Sequence, residues 1–147
     1  MGSGEPVCRF GLSASGEIMN QRILVVEDQE DNRQILRDLL MNADFEVIEA
    51  VDGEAGLEAA AANRPDLILM DIQLPVMDGY EATRRIKADA VLRATPVIAV
   101  TSYGLAGDEE KARAAGCDAY ISKPYSPRQL LAKVREYLSS PASEVIE

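Results

Sequence analysis

The sequence has no histidine. That excludes histidine general bases, Ser-His-Asp triads and the commonest zinc ligand. Cysteine is scarce too. Cys8 and Cys117 match no metal or redox spacing, and they read as two free thiols in a reducing cytosol. Aromatic residues make up only 5%, which leaves few ring partners for a flat organic cofactor. No apolar run is long enough to span a bilayer. Basic residues are in short supply: 15 Lys and Arg stand against 25 Asp and Glu, for a net charge of -10. Such a chain is a poor binder of nucleic acid or of an anionic membrane. Most of the acid excess reads as solubility. Residues 1–18 lack the basic start and apolar stretch of a signal peptide. The opening Met-Gly is followed by Pro6 where myristoylation wants Ser or Thr.

What remains is enough for one domain with a real core: 147 residues, 47% hydrophobic. Residues 1–20 read as a disordered extension or cloning remnant, with Met19 as an alternative start. Residues 21–138 carry the pattern of a folded domain. Residues 139–147 are polar, interrupted by Pro141, and read as a disordered tail.

Inside the domain, strand and helix signals alternate. Residues 23–26, 45–51, 67–70, 96–100 and 119–122 read as strands. Between them, 34–41 places Ile35, Leu36, Leu39 and Leu40 on one helical face, and 54–63 is an Ala-rich helix stopping before Pro65. Residues 79–88 turn Ala82 and Ile86 inward, and 105–115 ends at Gly116, a C′ residue. Pro127 opens a last helix whose buried face is Leu130, Leu131, Val134 and Leu138. Five such repeats predict an α/β fold, a doubly wound parallel sheet covered on both faces. The first, third and fourth strands are apolar throughout and belong in the middle. The second carries Glu46 and Glu49, and the fifth carries Tyr120 and Ser122, so both read as edges. Right-handed crossovers then favour the order 2-1-3-4-5.

In such a sheet, function collects beyond the carboxyl ends of the strands. Glu27 and Asp28 follow the first strand, Asp71 the third, Thr101 the fourth, and Lys123-Pro124 the fifth. Singly, each is an ordinary loop residue. Together they form a crowded acidic mouth. Crowded carboxylates need compensation. A hard divalent cation with oxygen ligands supplies it, and Lys123 balances what charge remains. Asp52, before Gly53 and a helix, reads only as a turn or N-cap residue.

The motifs ILVVED (23–28), LILMDIQLP (67–75), MDG (77–79), VIAVT (97–101) and YISKP (120–124) resemble those of bacterial response-regulator receiver domains. The resemblance covers about residues 21–138. It implies a flavodoxin-like (βα)5 fold and a cytoplasmic, single-domain signalling protein, not an enzyme. It implies a two-component phosphorelay in which Asp71 accepts a phosphoryl group. With no histidine here, the phosphohistidine donor belongs to a sensor histidine kinase or His-phosphotransfer protein. A downstream protein target of unknown identity is implied as well. Asp28 and Asp71 would bind Mg²⁺ or Mn²⁺ directly, Glu27 through water, and Gln73 through its backbone carbonyl. Thr101 and Lys123 would contact the phosphoryl oxygens, and Tyr120 would follow Thr101 in the switch. The Lys123–Pro124 bond is expected to be cis. Gln73 and Tyr103 are expected to tune hydrolysis of the acyl phosphate.

Three rival readings are weighed. A flavin carrier would need a phosphate loop where Glu27-Asp28-Gln29-Glu30 stands. An aspartyl phosphatase commonly has an acid two residues after its nucleophile, where this chain has Gln73. A phosphorylation-independent module of the same fold would not need an intact acceptor site. Whether the domain stands free or comes from a larger chain, such as a hybrid kinase, is left open.

Overall fold

Five short apolar segments become strands: β1 (Arg22–Val26), β2 (Glu46–Ala50), β3 (Leu67–Asp71), β4 (Val97–Thr101) and β5 (Ala119–Ser122). They alternate with α1 (Glu30–Asn42), α2 (Gly53–Asn63), α3 (Gly79–Ala88), α4 (Asp108–Ala115) and α5 (Pro127–Ile146). The computed structural model describes residues 21–74, 76–101 and 108–146, without the side chains of 108–109 and 139–146. The expected extension 1–20, Cys8, Tyr103 and the start of the fourth helix at 105–107 lie outside the described residues.

Every strand pair is parallel, and the spatial order is β2-β1-β3-β4-β5, the expected 2-1-3-4-5. All of β3 and β4 is buried, and so is β1 after Arg22. β2 and β5 are half-covered edges. Alternation along the strands divides the core into two layers. Leu24, Val26, Ile68, Met70 and Val97 pack with Ala60 of α2 and with Ala82 and Ile86 of α3. Ile23, Val25, Leu67, Leu69 and Ile98 pack with Leu36 and Leu40 of α1 and with Leu130 and Val134 of α5. Truncating a buried leucine such as Leu130 to alanine would cost about 2–5 kcal/mol.

The helix ends are fixed by local chemistry. Asp52 accepts from the Ala55 amide at 2.7 Å and Asp78 from the Glu81 amide at 2.9 Å. Ser126 and Gln129 form a reciprocal capping box at 3.0 and 2.9 Å, with Pro127 as the first residue of α5. Gly116 follows α4 at φ 105, a backbone region that only glycine enters freely.

Two expectations are corrected. Ile35 is not on the buried face of α1; it is 61% exposed, while Leu36 and Leu40 are buried. At 3.6 residues per turn, Ile35 stands about 100° from Leu36 on the side away from Leu40. The last helix also does not give way to a tail at Leu138: α5 continues to Ile146. Ala142 and Glu144, beyond Pro141, are good helix formers. Among the described residues, no helix is long and apolar enough to cross a membrane.

Candidate functional site

The layer between the sheet and helices α1 and α5 holds Ile23 and Val25, Leu67 and Leu69, and Ile121. Continuing each strand by two residues on that face gives Glu27, Asp71 and Lys123. Strand alternation therefore delivers two carboxylates and an ammonium to one mouth at the sheet's carboxyl end. Lys123 Nζ lies 3.3 Å from Glu27 Oε1 and 3.8 Å from Asp71 Oδ2. Carboxylate oxygens of Glu27, Asp28 and Asp71 all lie within 4.8 Å of one another.

The two inner acids are almost sealed from water: Glu27 is 2% exposed and Asp71 5%. Asp71 is pushed up to about 7 by burial first, then by the negative charge of Glu27 and its hydrogen bond to Glu27. Lys123 and the Gln73 amide, which donates to Oδ1 at 3.1 Å, only partly offset this. Burial also works to raise Glu27, but the opposing contacts win and hold it below the usual carboxylate range. The Gln29 amide donates to Oε2 at 3.1 Å, Asp71 and Asn32 hydrogen-bond it, and Lys123 adds its charge. The pair therefore favours a proton on the Asp71 side below about pH 7. A hard divalent cation suits this donor set: three oxygens already gathered, with a proton for the cation to displace. Asp28, half exposed, completes the trio from the loop side, where the Gln29 side chain donates to it at 3.4 Å.

Thr101 belongs to the other face of the sheet. It follows Ala99, which packs with Ile72 and Ala112, and Tyr120 lies against that cluster. Thr101 is 3% exposed, and its hydroxyl sits 3.4 Å from the Tyr120 phenol oxygen. The Lys123 amide donates to the Thr101 carbonyl at 2.7 Å, tying the β4 end to the β5 end. The Lys123–Pro124 peptide is cis.

The floor of the mouth depends on Gly79. A Cβ there would lie 2.3 Å from the Asp71 carbonyl oxygen and 2.8 Å from Ile72 Cα. Its amide donates to the Ile72 carbonyl at 3.0 Å. α3 therefore starts directly beneath the strand end that carries Asp71.

The structure brings Glu27, Asp28, Asp71 and Lys123 together, with the Gln73 backbone at Asp71 and Thr101 joined to Tyr120. Sequence reasoning missed Asn32, Arg33 and Tyr125. Arg33 donates to the carbonyls of both Glu27 and Asp28, at 3.0 and 3.3 Å. Tyr125 is pushed up to about 12 by burial and by the charges of Glu27 and Asp71. The available signal was position: Asn32 and Arg33 lie in the first turn of α1, directly above the acidic loop, and Tyr125 follows Lys123-Pro124.

The response regulator receiver domain model matches residues 23–135. The chain belongs to the response regulator receiver family. A polar-differentiation response regulator DivK from Brucella anthropi is 46% identical over 120 residues, covering 82% of this receiver and 98% of the relative. A solved response regulator from Chloroflexus aurantiacus superposes with a TM-score of 0.79 at 28% identity, covering 82% and 99% of the two chains. The receiver domain of a sensor histidine kinase from Pseudomonas aeruginosa superposes with a TM-score of 0.77 at 36% identity, over the same shares. That structure has a magnesium ion in its active-site cleft.

Proposed function

We propose that this receiver accepts a phosphoryl group on Asp71 from a phosphohistidine of a sensor histidine kinase or His-phosphotransfer protein, and signals by changing shape. The observation that carries this reading is the convergence of Asp71 with Glu27, Asp28 and Lys123 in one nearly dry mouth. Phosphoryl transfer asks mainly for alignment and charge neutralisation, and these residues supply both.

The Asp71 carboxylate attacks phosphorus in line. An O–P bond forms as the P–N bond to the partner's imidazole breaks, and the imidazole leaves with a proton. Lys123, already beside Asp71 and Glu27, takes the charge of the incoming oxygens. Thr101 offers its hydroxyl from the neighbouring strand. Mg²⁺, or Mn²⁺ in its place, would be held by Asp28 and Asp71 directly, by Glu27 through water and by the Gln73 carbonyl, and would supply the positive charge that lets two anions meet. The acyl phosphate is later lost to water, so the protein is a signalling component that assists its own loading and unloading, not a turnover enzyme. The exposed Gln73 stands where it can influence that loss.

Thr101 bound to the phosphoryl group draws away from the Tyr120 phenol, and Tyr120 turns inward to fill the space left behind it. Tyr120 also lines an outer groove of about 520 Å³ with Ser122, Pro124 and Gln129. One aromatic thus touches both the site and the face made by α4, β5 and α5. α4 offers little resistance: its buried residues there are Ala112 and Ala115. The message passes to a downstream protein, and a cytoplasmic setting fits the free Cys117 and the lack of a spanning helix among the described residues.

Acetyl phosphate with Mg²⁺ tests the reading. Intact mass should show one phosphoryl adduct on the wild type and none on Asp71→Asn. Adducts on both, or on neither even with a phosphorylated histidine donor, remove Asp71 from this role.

A further inference from the structure

Arg33 occupies an unusual place for a surface cation. Its side chain is only 12% exposed, and all three guanidinium nitrogens are engaged. Nη1 donates to the Glu27 carbonyl at 3.0 Å and to the Asp28 carbonyl at 3.3 Å. Nε pairs with Glu49 on β2 at 3.2 Å, and Nη2 pairs with Glu30 at 2.5 Å. The planar fork holds these partners in fixed directions, which an ammonium cannot do.

We infer that Arg33 is a positioning residue for the acidic mouth: it grips consecutive carbonyls of Glu27 and Asp28 from behind and so fixes where their carboxylates point. The inference rests on the phosphoacceptor reading above, because it assigns Arg33 a task only if those carboxylates bind a cation. The loop from Glu27 to Gln29 joins a buried strand to a helix. Glu27 Oε2 is held by Gln29 and Asn32, but among the described residues the Asp28 carboxylate is held only weakly, by the Gln29 side chain at 3.4 Å. Without the Arg33 fork, the Asp28 peptide would have to be ordered each time a cation binds.

Charge and positioning predict opposite signs. A fixed positive charge behind a cation site repels the cation, so on charge alone its removal tightens binding. On positioning, removal weakens binding by the tenfold to hundredfold typical of groups that orient metal ligands.

The experiment is Mg²⁺ titration by calorimetry on the full chain, wild type against Arg33→Met, Arg33→Lys, Arg37→Met and Asp28→Asn. Arg37 also pairs with Glu49, at 2.7 Å, and among the described residues no contact ties it to either carbonyl, so it controls for charge. Wild-type affinity should fall about tenfold or more in Arg33→Met and by less in Arg33→Lys, which keeps the charge and reaches one carbonyl. Arg37→Met should bind as the wild type or slightly tighter. In the Mg²⁺-free protein, the Gln29 amide resonance should shift in both Arg33 variants while that of Arg22, at the far end of β1, stays put. Helix loss in general would not produce that pattern. Unchanged or tighter binding in both Arg33 variants, with Asp28→Asn impaired, overturns the inference and leaves the phosphoacceptor reading standing. If Arg33→Met does not fold, Arg33→Lys decides in the same way. No Mg²⁺ binding by the wild type overturns both.

Discussion

The Thr101 hydroxyl lies 3.4 Å from the Tyr120 phenol oxygen, on neighbouring strands and on the same face of the sheet. Ala99, two residues before Thr101, is the register partner of Tyr120. The contact is long for a hydrogen bond between hydroxyls, so it is weak and easily exchanged. That suits a link that must break when Thr101 finds a better partner. Tyr120→Phe should therefore change stability by no more than about 1 kcal/mol. It should leave phosphorylation of Asp71 intact. The difference in amide exchange of α4 with and without a phosphoryl mimic should shrink. Denaturant melts and hydrogen-exchange mass spectrometry check the two halves separately. A full exchange difference in Tyr120→Phe would take the phenol out of the switch.

Asp71 carries a pH dependence whose sign follows from its surroundings. Its folded value is raised from the ordinary 3.8 to about 7. The folded state therefore prefers the protonated acid. The associated stability is fully present below about pH 4 and is lost as pH rises through about 7. Asp71→Asn, which never ionises, should be more stable than the Mg²⁺-free wild type at pH 8, on the order of 2 kcal/mol. At pH 4 the two should melt together. A pH-independent gap between the melting curves would refute the electrostatic explanation.

Cation binding and proton binding compete for the same oxygens. Mg²⁺ should raise the melting temperature at pH 8, with a shift that grows with concentration. Below about pH 7, where Asp71 keeps its proton, apparent affinity should fall. Chelator should return the protein to the metal-free curve. Thermal melts over a Mg²⁺ series at two pH values suffice, and equal affinity at both would contradict the shared-proton picture.

Much of this architecture was legible in the chain itself. A wholly apolar run is a strong signal when the alternating side chains of a strand are covered on both faces, as with Leu67 to Met70 and Val97 to Val100. The same alternation carries Glu27, Asp71 and Lys123 to one mouth. The roles of Thr101 and Tyr120 came from resemblance, since neither hydroxyl is distinctive in sequence. The exposure of Ile35 was misread because one residue step turns a helix by about 100°, and a run of apolar residues conceals which of them lies at the rim. The grip of Arg33 on the loop was invisible because its contacts to the Glu27 and Asp28 carbonyls leave no trace in side-chain patterning. The extent of α5 was missed because Pro141 was given more weight than the helix formers after it.

After the acceptor Asp71 itself, Lys123 should be the residue whose loss most changes the chemistry without destroying the fold. Its ammonium lies within 4 Å of both buried acids, and its side chain is only partly covered. Lys123→Met keeps the apolar stem and removes the charge. The attraction that lowers Glu27 and Asp71 is then gone, so the proton they share should bind more tightly. Carboxyl carbon resonances of Glu27 and Asp71, followed against pH, should show that upward move. Loading from acetyl phosphate should slow by about a hundredfold or more, because a charged donor aimed at the transferred oxygens is missing. The far-ultraviolet spectrum should be unchanged, since Leu130 and Val134 anchor α5 independently of the mouth. Wild-type loading rates in a folded Lys123→Met protein would leave the ammonium as a charge balance for Glu27 alone, with no part in transfer.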